Sequence, residues 1–349
     1  MKNSLFNTKL EKLNLFLPVV AVMLFLLESF YQFQYSRNSE ASLKVLTQIF
    51  LFNGFHVIFT FIFLFFGIEF GLYLQDESSK NNNPVKHWLA VFVVFFIFTL
   101  VAGLLIFAMK DDLLALKYCT WYLSLYYIFA HQHMVSQNFG VGMIYTQHFS
   151  KSLNVRFKST IYTLEKTLKI HVMIAVITLS ILVSIGSYSL RPTVIFFEIS
   201  LLLHLTRLLF LYKKASRIIF EHKVVFCLRY LLFPLSFISP IALIGLASVH
   251  GSESMMFSEK IFRKGRFKFN RAYTLIAVFC VIHALCILFS TNGGILGFFL
   301  DQYPRESTWY IVPFTILHAT SLTHFYVEGF IYKLSNKSVL NNQGQLILS

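Results

Sequence analysis

Charge is what this chain most lacks. Only 13% of its 349 residues are Asp, Glu, Lys or Arg, against about a quarter in a soluble domain. So little ionic surface is too sparse to keep a chain of this length dissolved as a globule. Acids are the scarcer sign, with 16 Asp and Glu set against 30 Lys and Arg. Cysteine is also rare. Cys119, Cys227, Cys280 and Cys286 all lie in apolar runs without a CxxC or a metal-ligand spacing, which excludes a disulfide framework and a zinc knuckle and leaves buried, inert thiols. Several motifs are missing too: the HxxHH box of membrane desaturases, the HExxH of zinc proteases, the GxSxG of serine hydrolases and the GxxxxGK[ST] phosphate loop. Each absence removes the chemistry that depends on that spacing. No family resemblance emerges from the residues.

Apolar residues dominate what is present. They make up 56% of the chain, with 41 Phe, 17 Tyr and a mean hydropathy of +0.64. A helix needs about 20 mainly apolar residues to cross a bilayer. Runs of that kind occupy 13–33, 45–74, 87–109, 112–147, 169–189, 192–212, 270–290 and 308–333. The stretch from Lys223 to Phe262 is too long for one span, and it contains Pro234 and Pro240. Read as a tight hairpin turning near Ser239-Pro240, it supplies two more spans, 224–238 and 240–262.

Charge placement favours that reading. With the hairpin, inner segments hold 22 Lys and Arg against 6 on outer segments, as the positive-inside rule requires. The net charge of +14 is thus assigned to cytoplasmic loops, and no nucleic-acid module accompanies it. The basic start of the chain, followed by a bulky Glu28-Ser-Phe-Tyr-Gln rather than small residues, reads as a retained first span and not a cleaved signal. The expectation is an all-α, polytopic membrane bundle of about ten spans. It forms a single membrane domain over 1–349 in the cytoplasmic (inner) membrane, with both termini cytoplasmic.

Ionisable side chains inside a span are costly and mark function by default. Three of the expected spans carry the same arrangement. His133 and Gln137 share one face of 112–147, His250 and Glu253 one face of 240–262, and His324 and Glu328 one face of 308–333, because residues three or four apart are neighbours on a helix. In the ten-span topology these helices all run from outside to inside, which brings the pairs to similar depth. His133, His250 and His324 are the candidate metal ligands. Glu253, Glu328 and Gln137 are candidates to complete the shell or relay protons. His131 and His318 are alternative cofactor-binding positions. His131 lies roughly 200° around its helix from His133, and His318 roughly 120° from His324, so at least one of each pair serves another purpose.

Imidazole with carboxylate suits iron, zinc, copper or manganese. The function expected is a metal-dependent oxidoreductase of oxygenase, hydroxylase or desaturase type, with iron first among the metals and zinc or copper next. Its substrate would be lipophilic or a quinone reached from the lipid bilayer. Two alternatives stand beside it: a proton- or ion-coupled transporter using the same His/Glu cluster, and a haem protein. His56, His204 and His283 are read as packing residues, and His87, His148, His171 and His222 as interfacial. Glu69 and Glu198 are further carboxylates within spans, and Asn53 with His56 forms a fourth possible wall.

Overall fold

The computed structural model describes residues 97, 100–101, 125, 127–143, 155–215, 217–239, 242–243, 245–247, 249–251, 253–254, 321–322, 324–325 and 328. Among these residues every regular element is helical and there is no strand. His318, Glu69, Asn53, His56 and three of the four cysteines lie outside the described residues, as do several expected spans.

By its contacts the chain divides into two compact units. One comprises Met1–Thr8, Phe50–Tyr122 and Gly251–Ser349, and the other comprises Lys9–Ile49 and Leu123–His250. The described residues of the second include α1 at 127–143, α2 at Val155–Ser184, α3 at Leu190–Ala215 and α4 at Arg217–Leu235. Helix α3 packs against both α2 and α4, most extensively against α4.

Among the described residues, α2 and α3 contain two segments long and apolar enough to cross a membrane, Phe157–Ser184 and Leu190–Ala215, each with a mean hydropathy of 2.0. Both are apolar on two faces. On α2, Leu168, Val172, Ala175 and Leu179 are fully buried, whereas Ile170, Ile174, Ile177 and Ile181 are exposed. On α3, Val194, Leu201, Leu205 and Leu208 face inward, while Ile195, Phe196, Ile199 and Leu203 face outward. A helix of a water-soluble protein would carry polar residues on the outer stripe. Isoleucine there is suited to hydrocarbon.

Helix α2 begins fourteen residues ahead of the expected span start at 169, so the basic segment before it is helical and not an open loop. Its far end closes with a Schellman motif. Ser187 N–H donates to the Leu182 carbonyl at 2.9 Å and Gly186 N–H to the Val183 carbonyl at 3.1 Å. This geometry needs a left-handed residue after the helix, and Gly186 supplies it with φ of 63°. Helix α3 then starts at Leu190, with Pro192 in its first turn, where a missing N–H removes no helical bond.

The Pro234/Pro240 region also differs in detail from expectation. Pro234 sits inside the last turn of α4, so it does not itself end the helix. The chain turns at 236–238 and becomes helical again by 242. Ser239 caps that new start: its Oγ accepts the Ala242 N–H at 3.3 Å and its carbonyl accepts the Leu243 N–H at 3.3 Å. Serine is a preferred N-cap.

Candidate metal centre

Helix α1 presents its polar side chains in two directions, as the helical angle between positions 131 and 133 demands. His133 is buried, and its ring meets that of His250 nearly at right angles, with centroids 4.8 Å apart and planes at 88°. Gln137, one turn along from His133, donates its Nε2 hydrogen to the His250 backbone carbonyl at 3.4 Å. Residues 249–251 are thereby held beside α1 by a side-chain-to-backbone bond as well as by ring contact.

His131 faces elsewhere. Its Nδ1 donates to the Tyr127 carbonyl at 2.8 Å, and its Nε2 lies 2.9 Å from Ser236 Oγ. A carbonyl can only accept, so Nδ1 carries a proton, while the single Ser236 hydroxyl proton has two acceptors within reach, Nε2 and the Phe233 carbonyl at 2.7 Å. Tyr127 and Phe237 pack around the ring at centroid distances of 4.5 and 5.2 Å. His131 thus ties α1 to the turn that follows α4.

The third helix of the sequence argument is described at five positions. His324 is fully buried, and its Nε2 stands 3.8 Å from Oε2 of Glu328, one turn on. All four of the buried residues His133, His250, His324 and Glu328 are side chains of metal-ligand type, the first two in the second unit and the last two in the first. Glu253 is also buried, at 2% exposure.

The donor set passes a simple chemical test. Three imidazoles and one carboxylate are ligands for first-row transition metals. Metal–nitrogen bonds of about 2.1 Å put an imidazole centroid roughly 3.2 Å from its ion, so two rings meeting one ion at an angle stand about as far apart as His133 and His250 do. Two axial ligands of one haem would be held with centroids roughly 6 Å apart by the same bond lengths, so this pair is too close to flank a porphyrin.

A second polar cluster was not found by reading along the chain. Glu165 of α2 accepts a hydrogen bond from the Tyr212 hydroxyl of α3 and pairs with Lys223 Nζ of α4 at 2.7 Å. Lys223 also donates to the Gly142 carbonyl of α1 at 2.6 Å. Both charged residues are about as buried as the core leucines, at 4% and 3% exposure. By sequence, Lys223 counts as one more basic loop residue and Glu165 is surrounded by lysines, so neither is marked as buried. Their pairing across α2 and α4 exists only in the fold. His171 and His204, taken singly as interfacial and packing residues, also come together between α2 and α3, with centroids 6.0 Å apart. No family model matches this chain, and no curated protein or solved structure does either.

Proposed function

We propose that this protein is a multi-pass protein of the cytoplasmic membrane that binds one transition-metal ion through His133, His250, His324 and Glu328, and uses it in redox chemistry on a lipophilic molecule. The observation that carries the reading is the pair of buried imidazoles His133 and His250, with ring centroids 4.8 Å apart. A second buried pair, His324 and Glu328, stands one turn apart on its own helix, in a chain whose described long helices expose isoleucine and phenylalanine. Iron is the first candidate, because imidazole with carboxylate in a helical bundle is the donor chemistry of non-haem iron oxygenases. The metal would supply the redox step. The chain's own part is to hold the donors, exclude water from them and admit an apolar substrate. Gln137 has a positioning role, since its bond to the His250 carbonyl fixes the backbone from which that imidazole projects.

Elemental analysis of the full chain purified in detergent tests the binding step. One iron, zinc or copper per chain is expected, falling at least tenfold in His133→Ala. Glu328→Gln keeps the shape of the side chain and removes its charge, so it should weaken retention while leaving the elution profile intact. A metal-free wild type that also fails to take up added Fe²⁺ or Co²⁺ would end the proposal. The redox step has its own readout: lipids of cells producing the wild type should contain species that gain one oxygen or lose two hydrogens, and these should be absent with Glu328→Gln. Proton flux through liposomes that depends on Glu328, without a bound metal, would instead identify a transporter.

A further inference from the structure

An open groove of about 510 Å³ lies between the first turns of α2 and the last turns of α3. Its polar wall is formed by Ser159, Thr160 and Thr163 on α2 and by Arg207 on α3, and its apolar wall by Phe210 and Leu211. Arg207 is exposed, and none of the ion pairs among the described residues involves it. An arginine so close to lipid-facing helix surface is costly unless its guanidinium reaches the interface and finds an anion there. Lys213 and Lys214 follow in the last turn of α3, both exposed, so the positive field is strongest at this end of the helix. Beyond the groove, the outer faces of the same two helices continue as Ile170, Ile174 and Ile177 on α2 and Leu203 and Ile199 on α3.

A cation with hydroxyls at the mouth, an aromatic side wall and an isoleucine-lined track beneath match an amphiphile with an anionic head and acyl tails. We propose that this groove binds the phosphate headgroup of an anionic phospholipid, with Arg207 as its main contact. The guanidinium fork suits phosphate oxygens in a way that an ammonium does not, and the hydroxyls of Ser159 and Thr160 stand at the groove as further hydrogen-bonding groups. The inference requires α2 and α3 to lie in a bilayer and does not depend on the metal reading.

The test uses the full chain, delipidated in detergent and offered phosphatidylglycerol or phosphatidylcholine in mixed micelles, with retained lipid counted by native mass spectrometry. Phosphatidylglycerol should be retained preferentially. Arg207→Ala, an exposed substitution, should reduce that retention about fivefold, the worth of one interfacial cation. Arg207→Lys should fall between the two, because it keeps the charge and loses the fork. Equal retention by wild type and Arg207→Ala, or equal retention of the two lipids by wild type, would overturn the proposal. Displacement of phosphatidylglycerol by millimolar inorganic phosphate would reassign the groove to a soluble anion and overturn its lipid identity.

Discussion

Lys223 shows how much one residue can depend on its partners. Its ammonium touches Glu165 and the Gly142 carbonyl, and the rings of Tyr212 and Phe226 lie 5.5 and 5.9 Å away. Removing one member of a buried ion pair leaves the other charged and desolvated, at a cost of about 3–5 kcal/mol. Lys223→Met should therefore lower the thermal unfolding temperature in detergent markedly. The double variant Glu165→Leu/Lys223→Met should recover most of the loss, because neither charge then remains buried. If the single variant unfolds with the wild type, the pair is not holding these helices together. Gly142 gives a milder probe. A Cβ there would stand 3.0 Å from Lys223 Nζ, so Gly142→Ala should displace the ammonium by a few tenths of an ångström and cost less than Lys223→Met. His131, a candidate cofactor-binding position by its place in the 112–147 span, is buried and has hydrogen bonds to Tyr127 and Ser236.

At the scale of the element, two short connections determine how the helices begin and end. The Schellman turn after α2 depends on Gly186, whose φ of 63° is unfavourable for any residue with a Cβ. Nothing lies within 4 Å of a Cβ placed there, so Gly186→Ala isolates the backbone term and should cost about 1 kcal/mol. A stability unchanged within error would mean that the turn relaxes freely. Ser239 offers a parallel test: Ser239→Ala removes the acceptor for Ala242 N–H and should cost about 1 kcal/mol, with Ser239→Asp retaining most of it. The Gly186 turn fell inside the expected span 169–189, whereas the Ser239-Pro240 connection was visible in the sequence as a break between apolar runs. The helical register of the basic segment ahead of 169 was not, because Lys158, Lys166 and Lys169 break the apolar run while leaving the backbone free to stay helical.

At the scale of the whole molecule, α2 and α3 are the helices among the described residues that are long and apolar enough to span a membrane, and Lys and Arg cluster between the apolar runs of the sequence. In the ten-span arrangement the turn between α2 and α3 is outside. Tyr188, at its tip, is fully exposed. In a cysteine-free background, Tyr188→Cys should react with a membrane-impermeant maleimide in intact cells, and Lys264→Cys should react only after the membrane is opened. The reverse pattern would invert the topology and with it the inner placement of the basic loops. Composition alone determined that α2 and α3 are long and apolar enough to span a membrane, and the fold leaves Ile170, Ile174, Ile177 and Ile181 exposed along one stripe of α2. Spacing alone also nominated His133, His250, His324 and Glu328, because ionisable groups stand out against an apolar background. Only the tertiary structure could give His131 its partners Tyr127 and Ser236, or reveal Glu165 and Lys223 as partners. A helix's periodicity says which residues share a face, but which helix that face meets is decided by packing between residues far apart in the chain.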